Sequence, residues 1–148
     1  MTNPLLDVWD TPFQVPPFAK ITAADFAPAL DIAMQDDLAK IYAIAQNREP
    51  ATFANTIEAL ETTSELMHKV LSPFYAMAGA HTNPELDALM REFSPKLAAH
   101  GAKISGNKAL FQRIETLWNS KDTLGLSEEQ VMLLKDQYRG FVRVLVRR

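Results

Sequence analysis

The chain has 148 residues, 47% hydrophobic and 22% charged, with a net charge of −3 and no cysteine. A chain of this size and composition buries about two-thirds of its extended surface as one domain, which excludes wholesale disorder. The missing cysteines exclude disulfides, thiol nucleophiles and cysteine-ligated zinc or iron–sulfur centres, and the slight acidity gives no general pull toward nucleic acid.

Residues 1–21 read as an extended, proline-rich arm. Pro4, Pro12, Pro16 and Pro17 each remove an amide donor and push the preceding residue toward extended geometry. Leu5, Leu6, Val8, Trp9, Phe13, Val15, Phe18 and Ile21 lie between them, more apolar surface than a free tail would carry, so the arm is expected to pack on a helical body over 22–148. A proline-rich recognition peptide is the weaker reading, because the spacing is irregular.

The first helix opens at Thr22, with Asp25 completing a capping box, and Phe26, Leu30, Ala33, Met34, Leu38, Ile41 and Ile44/Ala45 give its apolar stripe. A second is expected from Asn55, boxed by Glu58, with Thr52 an earlier alternative. It carries Ile57, Leu60, Met67, Leu71 and Phe74, kinks at Pro73 and closes at Gly79. Asn83-Pro84-Glu85 starts the third, which has a second expected kink at Pro95 and a break near Ser105-Gly106. A shorter helix bears Leu110, Phe111, Ile114, Leu117 and Trp118, followed by a turn over 121–125. Ser127 with Gln130 boxes the last helix, whose inward residues are Val131, Leu134, Phe141, Val142 and Leu145. About five amphipathic helices without a convincing strand make the fold class all-α, in a bundle-like array.

Charge is uneven: residues 1–74 hold 4 Lys/Arg against 10 Asp/Glu, and residues 75–148 hold 11 against 8. No apolar run approaches the roughly 18 residues of a membrane span. Met1-Thr2-Asn3-Pro4 lacks the features of a secretory signal, so a cytoplasmic, non-membrane protein is expected.

The polar residues yield no catalytic, cofactor-binding or metal site. A zincin sets two imidazoles on one helix as His-Glu-x-x-His, and none of His68, His81 or His100 is followed by Glu. Glu65-Leu66-Met67-His68 is half of a di-metal carboxylate motif, which needs a second copy that the sequence lacks. Glu58, Glu61 and Glu65 read as a solvated face rather than a catalytic pair. No serine stands in a Gly-x-Ser-x-Gly elbow. Lys135, Arg139, Arg143 and Arg147, with Arg148, recur along the last helix. The stripe is expected to be solvated or to dock missing protein mass rather than to bind phosphates.

Several segments carry a resemblance: Asn3-Pro4-Leu5, Pro16-Pro17-Phe18, Phe26-Ala27-Pro28-Ala29 and Ala33-Met34. It continues through Thr52-Phe53-Ala54-Asn55-Thr56-Ile57-Glu58-Ala59-Leu60-Glu61, Ala80-His81-Thr82-Asn83, Leu110-Phe111 and Leu124-Gly125-Leu126. With these the chain resembles the N-terminal portion of the thimet-oligopeptidase-like zinc peptidases, on their bacterial peptidyl-dipeptidase side. The resemblance implies a zinc-dependent, largely helical peptidase several times longer, which removes C-terminal dipeptides from oligopeptides within a channel. Its metal-binding His-Glu-x-x-His helix would lie outside the matching region, so no site residue is carried over. This chain alone is expected to be inactive, with zinc only in the longer relatives. Its expected partner is the rest of a peptidase chain, or otherwise another copy of itself; a free-standing helical interaction module is the alternative. After Phe141-Val142-Arg143 the family pattern Ala-Gly-Ala gives way to Val144-Leu145-Val146-Arg147-Arg148, which suggests a shifted frame or a truncated product.

Overall fold

In the computed structural model, residues 3–80 and 83–145 are described. The architecture is all-α: five helices of 12 residues or more, with no strand among the described residues. The helices are α1 (Ala23–Ala45), a short α2 (Ala59–Thr62), α3 (Glu65–Ala80), α4 (Pro84–Ser105), α5 (Lys108–Asn119) and α6 (Glu128–Leu145).

The expected second helix is divided. Phe53–Glu58 winds as a π-helix, continues into α2 and breaks at Thr63-Ser64 before α3. The start is capped one turn earlier than the Asn55–Glu58 reading: the Thr52 amide donates to the Asn55 side chain at 2.8 Å, and the Asn55 amide donates to the Thr52 hydroxyl at 3.0 Å. At the break, the Thr62 and Thr63 hydroxyls donate back to the carbonyls of Ala59 and Leu60, local bonds that compete with a continuing ladder. α3 passes through Pro73 and Gly79 to Ala80, and α4 passes through Pro95, without interruption.

The chain forms two compact units, one of residues 1–37 and 64–98, the other of 38–63 and 99–148. α1 and α4 each contribute residues to both.

The first unit is organised around aromatic rings. Phe74 lies 5.2 Å from Phe26 and 5.0 Å from Phe93, centroid to centroid, in edge and tilted geometries that aromatic quadrupoles favour. Leu5 and Ile21, from either end of the 3–21 segment, are buried with this cluster, and Leu6 and Trp9 pack against it. Local bonds hold that segment. The Asn3 amide donates to the Asp25 carbonyl at 2.8 Å and the Trp9 indole to the Pro4 carbonyl at 2.9 Å. The Lys69 ammonium bonds the Asp7 carbonyl and sits 4.9 Å from the Trp9 ring centroid. Between them Phe13 and Gln14 adopt left-handed φ angles of 58° and 54°, and the Phe13 side chain is fully exposed.

The second unit packs Ile41, Ile57, Leu110, Ile114, Leu117, Leu134 and Phe141. Asn107 caps α5 by accepting from the Leu110 amide at 3.0 Å, and Ser127 and Gln130 close a reciprocal box on α6. Gly125, at φ +66°, turns the chain from α5 into α6, a conformation glycine adopts without steric cost. An aromatic stack, Phe111–Tyr138–Trp118, runs between those helices and ends on the Lys121 ammonium, 4.3 Å from the indole.

Candidate functional site

Of the described residues singled out for chemistry, all but His100 and Lys135 are exposed. His68 is exposed on α3, whereas His100 is buried on α4 in the second unit. His81 falls outside the described residues. Glu58, Glu61 and Glu65 are all exposed and lie on three successive elements rather than one continuous helix. Glu58 and Glu61 belong to the second unit and Glu65 to the first. Lys135 is half-buried on α6, and Arg139 and Arg143 are exposed there; Arg147 and Arg148 lie outside the described residues.

Zinc does not fit this set. It takes three or four close nitrogen, sulfur or carboxylate donors, and among the described residues no group of three His, Asp or Glu could hold an ion.

The polar residues are organised elsewhere, at Arg113 on α5, which sequence reading passed over. Its guanidinium donates to the carbonyls of Asn47 and Glu49, both at 2.9 Å, and to the Asn55 side-chain oxygen at 3.0 Å. The same Asn55 oxygen accepts the Thr52 amide, and its amide group donates to the Pro50 carbonyl. One planar fork therefore fixes the loop between α1 and the π turn. Its partners are 58 to 66 residues away in sequence, so no local pattern announces it.

Surface clefts open on the first unit. One of about 520 Å³ is lined by Val8, Trp9, Gln14, Pro16, Glu65, Lys69 and Ser72. Another, about 470 Å³ and mostly apolar, is lined by Phe18, Ala76, Met77 and Ala80. Glu65, Lys69 and Ser72 line the first, where the Lys69 ammonium bonds the Asp7 carbonyl, and the residues lining the second carry no titratable side chain.

No family model matches the chain. Individual proteins do. It is 39% identical to the dipeptidyl carboxypeptidase of Salmonella typhimurium over 141 residues and 40% identical to that of Escherichia coli over 140 residues. Each match covers 95% of this chain. The chain is thus similar, along nearly its whole length, to one segment of these peptidases. It is also 25% identical over 141 residues to oligopeptidase A of Escherichia coli, again across 95% of its length. The chain spans about one-fifth of these relatives, 21% of each dipeptidyl carboxypeptidase and 20% of the oligopeptidase. The matching segment is helical among the described residues and carries no His-Glu-x-x-His motif.

Proposed function

We propose that this chain is the N-terminal, non-catalytic helical region of a zinc-dependent peptidyl-dipeptidase that releases C-terminal dipeptides from oligopeptides. The observation that carries the proposal is the near-complete match to dipeptidyl carboxypeptidases joined to the lack of a metal-binding motif. Zinc would activate water on residues of the remaining chain. The helices described here would contribute wall and scaffold, and a cytoplasmic location belongs to the same proposal.

The test is complementation. The purified chain is incubated with a blocked tetrapeptide, alone and with Escherichia coli dipeptidyl carboxypeptidase lacking the segment that matches it. Dipeptide is read by mass spectrometry. Release is expected only from the mixture. Release by the chain alone, or zinc bound by it more tightly than micromolar, defeats the proposal.

A free-standing helical interaction module is the second reading, favoured by Phe13 and Val8, whose side chains are 100% and 92% exposed.

A further inference from the structure

The helical stretch Ser72 to Ala80 contains no charged residue, although it lies at the surface of the first unit. Its inner face is occupied: Pro73 and Phe74 are buried, and Met77 and Ala78 pack against the same core. On the opposite side Ser72, Tyr75, Ala76, Gly79 and Ala80 are all exposed. These positions fall three, four, seven and eight residues from the first, which makes them one continuous strip of helix surface. A helix that is apolar on every side is ordinarily a buried helix.

Three further observations point the same way. Phe18, 43% exposed, stands beside the strip and closes the apolar cleft with Ala76, Met77 and Ala80. The small side chains at Ala76, Gly79 and Ala80 let a second helix approach at the short end of the usual interaxial range, about 8 Å. A Cβ built on Gly79 would meet nothing within 4 Å, so the space over it is open. The outer face of α6 is a useful contrast. Its exposed Met132 and Leu133 stand among exposed Glu129, Asp136 and Arg139, the mixture of an ordinary solvated surface.

We propose that this strip, together with Phe18, seats an apolar helix from the part of a dipeptidyl-carboxypeptidase chain that this sequence does not contain. The proposal rests on the functional reading above and names the surface through which it operates. The occupant follows from the proportions of the relatives, since about four-fifths of each lies outside the matching segment. A second copy of this chain is the weaker occupant. Nine helical residues extend only about 13 Å. A strip-to-strip contact of that length falls short of the roughly 800 Å² per partner that a stable dimer buries. As one anchor within a larger interface, the strip is sufficient.

The test uses the whole chain, fluorescently labelled, and Escherichia coli dipeptidyl carboxypeptidase lacking the matching segment. Affinity is read by anisotropy and dipeptide release is followed in parallel. Ala76→Glu and Ala80→Glu each place a charge on the strip without touching the core, and circular dichroism checks their fold. Each is expected to weaken association at least tenfold, whereas Met132→Glu on α6 changes it less than twofold. Binding of both strip variants within twofold of the unmodified chain, with dipeptide release intact, overturns the docking strip and leaves the functional reading standing. Failure of the unmodified chain to associate at all overturns that reading, and the strip with it. A dimer of this chain that Ala76→Glu dissolves in light scattering also overturns the proposal, by assigning the strip to a second copy.

Discussion

In the first unit a single ring, Phe74, touches two others from different helices. In the second a single guanidinium, Arg113, holds three acceptors from the Asn47–Asn55 loop, and both long helices built wholly within that unit carry side-chain caps. The units also differ in charge: the first holds 4 Lys/Arg against 10 Asp/Glu, the second 11 against 8. The comparison teaches that ring packing, which is tolerant of direction, sets the centre of the first unit, whereas in the second a directed fork of hydrogen bonds fixes a loop in addition to the ring stack. Ring packing fails through cavities, and directed bonds fail through orphaned polar groups.

The two tryptophans allow that contrast to be tested separately, since Trp9 belongs to the first unit and Trp118 to the second. The largest effect is expected from Phe74→Ala. Removing a ring that is 1% exposed should cost about 3–5 kcal/mol, read by urea unfolding through Trp9 fluorescence in a Trp118→Phe background. An equal loss read through Trp118 in a Trp9→Phe background would show that the units unfold as one.

Arg113→Met comes next. It should cost about 2–3 kcal/mol, read through Trp118, because it strips charged donors from two carbonyls and an amide oxygen. Arg113→Lys should recover little of this, since an ammonium cannot reproduce the planar fork. A Lys variant as stable as the original would reduce the hub to simple charge.

Asn107→Ala should cost about 1 kcal/mol as a lost helix cap, and Asn107→Gly a few tenths. The smallest effect is expected at Lys96, which bridges Glu92 at 3.3 Å and Asp31 at 3.5 Å on the surface of the first unit. The hydrogen bond to Glu92 raises its pKa above 10.5; desolvation opposes this, and the charges of Asp31 and Glu92 add to it. Whatever stability it adds is complete below 10.5 and lost only as pH rises through the higher folded value. Solvent screens the pair, so Lys96→Met should leave the urea midpoint unchanged from pH 6 to 9.

Much of the fold was legible locally. The stripes of α1, α5 and α6 list residues that are in fact buried, among them Phe26, Leu30, Ile41, Ile114, Leu117, Leu134 and Phe141. The Ser127–Gln130 box is present as spaced. The 52–80 segment was less legible, because its capping partner is Asn55 rather than a glutamate and its break is made by two threonine hydroxyls, not by proline. For the candidate site the sequence showed that no His-Glu-x-x-His exists, and it carried the family resemblance that the relatives support.

By itself, then, the sequence determined helix content and most helix ends. Those depend on neighbours three or four residues apart, where side-chain periodicity and capping act. Only the tertiary structure decided that Arg113 ties a loop some 60 residues distant, and that the uncharged stretch from Ser72 to Ala80 buries one side and exposes the other. Periodicity cannot distinguish two apolar sides of one helix; which of them meets the core is fixed by the rings of Phe26 and Phe93, brought to Phe74 by other parts of the chain.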